Sequence, residues 1–431
     1  MSTTSSEATK LPTAAAEDSR YQWLLIGLLW GVAFLISAGR STLITVMPQL
    51  REEFALSATQ LALINSASFW IYAVGAFLFG RLGDGTHRSR LIVGGLAFWG
   101  VATGLTSLST AFALLIAMRG LVALGEATYF PSGAALISDW HRAAMRGRAL
   151  AAHQTGVFAG AGVGALCAGL IADRFGWRMP FVILGSLGVA VCTLLVRWLR
   201  DAPITRRRTR PADSPDMGPF RTILQRPAAL YVCAVFFLAS GASAGPIVWG
   251  PTFLHDEIGL DLAGAALYGS VSINLAGFLF VPVGAFLAER LDARTPLALF
   301  YTLALGLALA GAMLLALPFA HSAMAVGGVL LASSAGKALF DGCIYAAMHE
   351  VVPAEARATA VGLMTMIGFC GAGLTPIFVA KASATFGMAT AMASMAVLYV
   401  LAVASLMSTR TALRRTVIET RLEHSHSESR P

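Results

Sequence analysis

Residues 179–196 read MPFVILGSLGVAVCTLLV, a stretch without a single charge. A run of roughly 17–25 apolar residues is long enough to cross the hydrocarbon core of a bilayer as a helix. In lipid only helices and closed barrels satisfy every backbone N–H and C=O. Barrel strands alternate polar and apolar residues, and this run does not. Working outward, comparable runs recur at 22–49, 59–81, 89–108, 111–137 and 148–172, while 179–199 completes a first set of six. A second set follows at 228–252, 264–288, 295–317, 322–348, 358–381 and 385–408. The expectation is an all-α membrane protein of twelve transmembrane helices in two six-helix bundles. Composition agrees: 56% of the 431 residues are hydrophobic and 13% are charged, where a soluble domain carries about a quarter charged.

The formal charge of +8 does not signal nucleic acid, because the basic residues sit in short segments between apolar runs. Of the 31 Lys and Arg, only Arg51, Arg174, Arg178 and Lys381 fall on one side, and only Arg40, Arg119 and Lys337 fall inside spans. The rest share the opposite side, which the positive-inside rule makes cytoplasmic. The chain is therefore expected in a cell inner membrane, multi-pass, with both termini cytoplasmic. Residues 1–20 lack the basic-then-apolar order of a cleaved signal peptide and read as a disordered tail, as does 410–431. Between bundles at 21–199 and 227–409 lies a cytoplasmic linker, 200–226, with Arg206, Arg207, Arg208 and Arg210 among Pro203, Pro211 and Pro215. Cys167, Cys192, Cys233, Cys343 and Cys370 all fall within apolar runs without metal-ligand spacing, and read as small core residues. No cofactor or metal is expected, and the chain is expected to work as a monomer.

The two halves repeat. Residues 50–57, LREEFALS, match 254–261, LHDEIGLD, and the same shift carries Gly80 onto Gly284. Farther on, Gly125-Glu126-Ala127 matches Gly336-Lys337-Ala338, and Arg146, Gly160 and Gly162 fall on Arg357, Gly371 and Gly373. Parallel repeats about an axis along the membrane normal place a site at their interface, near mid-membrane.

These residues carry a family resemblance. Residues 80–90, GRLGDGTHRSR, resemble the loop 2–3 signature of the major facilitator superfamily: Gly80, then Asp84 four residues on, then a basic cluster. The second copy is degraded, with Ala288 in place of the aspartate. Residues 119–127, RGLVALGEA, resemble the helix 4 pattern of the organic-acid anion:cation symporters and of the spinster-like lipid transporters. Residues 175–181, FGWRMPF, are also typical of the superfamily. One departure stands out: both subfamilies carry an acidic residue just before the helix 1 arginine, and here that position is Gly39. A coupling role for that carboxylate therefore does not transfer.

An ionisable side chain inside a span costs roughly 2.5–3.5 kcal/mol on insertion scales, so each is a functional candidate. The Arg40 guanidinium can fork onto a carboxylate, and the resemblance implies a substrate-binding arginine there; the structural alternative is an interior ion pair. Glu126 sits mid-span, where a bare carboxylate is costly, so it is suited to carrying a proton. Arg119, two turns earlier on nearly the same face, can act on Glu126 or pair with it. Lys337 occupies the repeat position of Glu126, and is expected either to pair with it or to share an anionic substrate with it. Asp341, one turn beyond, balances Lys337 or joins the proton coupling. Tyr72, which the resemblance implies as a substrate contact, joins Gln154 and Asn274 as polar groups in mid-span. His153 is a proton-relay candidate whose expected role is interhelical hydrogen bonding. Gly80, Asp84 and Arg88 are read as a gating motif at the inner end of helix 2. Gly156, Gly160, Gly162 and Gly164 are read as a small-residue packing face.

The resulting expectation is a secondary transporter moving a small organic anion, such as a sugar acid or aromatic acid, by alternating access with proton symport. The alternatives are a spinster-like or drug-type exporter of an amphiphile, and a non-transporting membrane sensor. No nucleophile–base pair or phosphate loop points to an enzyme.

Overall fold

The structure is a computed structural model. It describes the backbone of residues 14–85, 87–202, 221, 223–353 and 356–428, and their side chains except those of 14–19, 80–85, 143, 144, 358 and 420–428. The described residues form helices connected by short turns. Eleven helices are long and apolar enough to cross a membrane. The remaining place in the set of twelve is taken by the 19-residue helix Arg88–Thr106.

The first bundle contains α1 (Ala14–Thr45), α2 (Met47–Phe54), α3 (Ala58–Gly85), α4 (Arg88–Thr106), α5 (Phe112–Trp140), α6 (Ala143–Phe175) and α7 (Arg178–Trp198). The second contains α8 (Pro227–Asp256), α9 (Leu262–Ala266), α10 (Ser272–Asp292), α11 (Ala298–Leu314), α12 (Ala323–Asp341), α13 (Ile344–Val351), α14 (Arg357–Phe386), α15 (Met388–Ala393) and α16 (Ala396–Ser408). Three expected spans are interrupted. A π-helical turn, Leu267–Val271, joins α9 to α10. A break at Gly342 and Cys343 separates α12 from α13, and another at Ser394 and Met395 separates α15 from α16.

The repeat is written into the packing. Helix α1 lies along α6 as α8 lies along α14, and α4 lies along α5 as α11 lies along α12. A Cβ on Gly160 would stand 2.2 Å from the carbonyl oxygen of Phe34, and a Cβ on its repeat mate Gly371 would stand 2.5 Å from that of Phe237. The turns repeat as well. Ala55 and Gly259, which align in the two halves, have φ of 50° and 80°. Gly176 and Gly387, which end α6 and α14, have φ of 78° and 77°. Left-handed backbone costs an L-residue roughly 1–2 kcal/mol, so glycine at three of these four turns follows from the geometry.

The bundles meet along two seams: α3 against α14, and α6 against α9 and α10. On the first, the Trp70 indole donates to the carbonyl of Cys370 at 3.3 Å. On the second, a Cβ on Gly169 would stand 2.7 Å from Cα of Ala263. Of the four glycines read as one packing face, Gly156, Gly160 and Gly164 lie against Trp30, Phe34 and Ala38 of α1, while Gly162 faces Asn274 of the other bundle.

Two expectations change here. The segment after 410 is a helix, α17 (Arg410–Glu428), with Leu413 and Val417 buried against the bundle; an apolar residue every fourth position gives it a face to bury. Similarly α1 begins at Ala14, inside the expected N-terminal tail, while residues 1–13 and 429–431 lie outside the described residues. Cys167, expected in the core, is exposed, on the same face of α6 as the exposed Val163 and Leu170.

Candidate functional site

The charged centre is built where α1 meets α5. Nε of Arg40 donates to Oε2 of Glu126 at 2.6 Å, with the two side chains 29% and 4% exposed. The guanidinium lies over the Tyr72 ring of α3, 4.5 Å from its centroid. Phe130 of α5 and Phe369 of α14 flank it at 5.6 and 5.9 Å. The rings of Phe369 and Tyr72 are 4.6 Å apart, so the second bundle covers the arginine of the first. A cation on aromatic faces gains roughly 0.5–2 kcal/mol, depending on desolvation.

The pair leaves hydrogen-bonding capacity unused. Nη2 of Arg40, Oε1 of Glu126, and Nε and Nη1 of Arg119 are buried without a hydrogen-bond partner among the described residues. Arg119 is 2% exposed and interacts electrostatically with both Glu126 and Arg40. The structure therefore chooses the interior ion pair for Arg40 and forms no ion pair between Arg119 and Glu126.

Gly39 explains how the pair is reached. A Cβ there would stand 2.7 Å from Cζ2 of Trp99, and Cβ atoms on Gly125 and Gly188 would stand 2.9 and 2.8 Å from the same side chain. Trp99 fills a notch made by glycines of α1, α5 and α7, so no side chain fits beside Arg40 at position 39.

The expected Lys337–Glu126 pairing is corrected. Lys337 donates to Oδ1 of Asp341 at 2.5 Å and lies 5.0 Å from the Phe340 ring centroid. The i,i+4 spacing puts the carboxylate within reach on the same helix face, whereas Glu126 is held by Arg40. Asn274 is satisfied locally, donating to the carbonyl of Ser270 at 2.8 Å, and Gln154 is exposed; neither joins the charged centre. His153 is interhelical as expected. The Tyr129 hydroxyl donates to the carbonyl of Leu29, which leaves Nε2 of His153 to donate to the Tyr129 oxygen at 2.7 Å.

Polar contacts also mark both ends of the molecule. At the end holding residues 21, 140 and 198, Arg88 pairs with Asp139. Asp201 caps α4, accepting from the Ser89 amide at 3.0 Å and from its hydroxyl at 2.8 Å. Gly80 lies within the last turns of α3, while the side chain of Asp84 lies outside the described residues. At the opposite end, Arg51 of α2 grips Asp256 of α8 through two hydrogen bonds of 2.5 and 2.8 Å. Asp173 of α6 accepts from the amides of Leu262 and Ala263 at 3.1 and 3.0 Å, so one bundle caps a helix of the other. Within the first bundle, Arg178 and the Trp177 indole donate to Glu53, and the Arg178 guanidinium holds that carboxyl below its usual range.

Phe130, Phe369 and Trp99 were not legible as site residues, since aromatic residues in an apolar run look like any other packing residue, and Asp173 was not, since it falls in the polar segment just past a span. Arg51 and Asp256 had a signal, because they lie on the two aligned repeat segments.

A twelve-helix, two-bundle fold with ionisable groups inside its membrane spans defines a multi-pass membrane transporter. Residues 29–376 match the Major Facilitator Superfamily, and the chain belongs to that family. It is 26% identical over 325 residues to a probable sulfoacetate transporter of Cupriavidus necator, covering 72% of this chain and 75% of that one. It is 24% identical over 275 residues to a hexuronate transporter of Bacillus subtilis, covering 61% and 65%. It is 28% identical over 300 residues to protein spinster homolog 1 of Bos taurus, covering 65% and 57%. The match thus spans less than two thirds of the latter two relatives. Its fold resembles the crystal structure of a bacterial homologue of the human lysosomal transporter Spinster, with a TM-score of 0.78 over 93% of this chain and 98% of that one, at 21% identity.

Proposed function

We propose that this chain carries a small organic anion across a cell inner membrane by alternating access, in symport with protons, with both termini in the cytoplasm. The observation that carries the reading is the Arg40–Glu126 pair, in which Nη2 of Arg40 and Oε1 of Glu126 are buried without a partner among the described residues. A buried ion pair with one partner removed is destabilised by roughly 3–5 kcal/mol, so Arg40 and Glu126 release each other only when both charges are answered. An anion answers Arg40 and a proton answers Glu126. The two are then bound together, which is the requirement of symport. Tyr72 supports the guanidinium from below, and Phe369 must move aside as the bundles part. Lys337, held by Asp341 in this state, supplies positive charge from the second bundle. Gly80, Asp84 and Arg88 gate the cytoplasmic end, and the Arg51–Asp256 clasp closes the outer one. Two relatives, named for sulfoacetate and hexuronate, are named for anions.

The test is proton movement in proteoliposomes challenged with carboxylates. Alkalinisation outside on adding one acid, abolished in Glu126→Gln, is expected. Substrate uptake by Glu126→Gln with normal proton coupling would refute the role of Glu126. The likeness to spinster proteins favours a second reading, export of an amphiphile. In that case lysolipids would compete for the site and carboxylates would not.

A further inference from the structure

We propose that the substrate is a small dianion, selected by the charge of Arg119 behind the Arg40–Glu126 pair. The inference rests on the organic-anion, proton-coupled reading above and names the charge class of its substrate.

In the middle of the first bundle stand two guanidiniums and one carboxylate, Arg40, Arg119 and Glu126. In the second, Lys337 and Asp341 cancel. Arg119 is almost fully buried, two of its donors have no partner among the described residues, and no carboxylate forms an ion pair with it there. These three side chains together therefore carry one uncompensated positive charge. When Glu126 takes up a proton, the centre carries two. A monoanion arriving with that proton leaves the centre with the same one unanswered charge as before, which is unfavourable in a low-dielectric interior. A dianion brings the loaded centre to neutrality.

Position supports the same division of labour. Arg40 is part-exposed and stacked on Tyr72, so it can meet one acidic group directly. Arg119 is sealed behind it and acts through its field on the second. That field is felt at the centre, since Arg119 interacts electrostatically with both members of the pair. Its charge, rather than its hydrogen-bonding fork, is the property that matters.

The experiment is binding to the purified full-length protein at about pH 7, where both acidic groups of the dianions are ionised. Matched pairs differ by one charge: succinate against succinamate, glucarate against gluconate, and phthalate against benzoate. The expected result is that the dianion of the recognised pair binds roughly tenfold or more tightly, the size of one charge-assisted contact. Arg119→Gln should narrow that ratio toward one, and Arg119→Lys should keep it. Equal binding of both members, or a preference for the monoanion, overturns the dianion and leaves the organic-anion reading standing. A ratio unchanged in Arg119→Gln overturns the role of Arg119. Binding by no member of any pair overturns both readings together. Should Arg119→Gln fail to fold, a ratio lost in Arg119→Lys would refute selection by charge, while the wild-type ratio still tests the dianion.

Discussion

At the scale of single residues, the informative position is one that carries no chemistry. Gly39 sits beside Arg40 in sequence, and Trp99 occupies the space a side chain would need there, 2.7 Å from the would-be Cβ. The indole is itself fully buried in a notch of three glycines. Relief by a flexible neighbour is therefore not open, since the obstacle is a rigid ring. Gly39→Val is expected to destabilise the protein by about 1–3 kcal/mol, the usual cost of overpacking a filled core. Thermal unfolding of the purified variant measures this, and an unchanged melting temperature would contradict the notch. The sequence showed that the acidic residue was missing; it did not show that an aromatic side chain had taken the room.

At the scale of elements, the short helix α2 and its neighbours depend on a carboxylate. Glu53 accepts from Arg178 at 2.6 and 2.8 Å and from the Trp177 indole at 2.6 Å. Arg178 first, then Trp177, hold the Glu53 carboxyl below its usual value of 4.5. A carboxyl depressed in the folded state adds stability that is complete above its unfolded value and is lost as pH falls through its folded one. The stability advantage of the wild type over Glu53→Gln is therefore expected to be constant above about pH 5 and to shrink below about pH 4.5. Both partners are substantially exposed, so the effect is small and weakens with salt. Melting curves of the two proteins across acid pH test it; parallel curves down to the lowest pH would exclude the pair as the cause. The helix spans were readable from hydrophobic runs, but their breaks were not. The interruptions at 267–271 and 342–343 fall inside the expected spans, where neighbours and not local composition decide the backbone path.

At the scale of the molecule, the two bundles are tied at one end by Arg51 and Asp256 and by the Asp173 cap on α9. Alternating access requires such ties to be weak enough to open. The Arg51 and Asp256 side chains are 36% and 26% exposed, which places the pair among surface bridges worth roughly 0.5–1 kcal/mol. Arg51→Asp should lower stability by about that amount, and combining it with Asp256→Arg should recover most of the loss in a double-mutant cycle. Additive losses in the double variant would show that the clasp does not join the bundles.

The amino-acid sequence by itself determined the class of fold, the twelve-span layout, the repeat and the identity of the ionisable groups in the spans. It could do so because lipid imposes length and apolarity on every span, and because a charge there is rare enough to be seen. Only the tertiary structure decided the pairing. Arg40 took Glu126, Lys337 took Asp341, and Arg119 took neither. Partners across a bundle are fixed by which helix faces meet, through glycines that admit a neighbour's backbone and aromatic rings that fill the remaining gaps. Those contacts are long-range in sequence and leave no periodic trace along it.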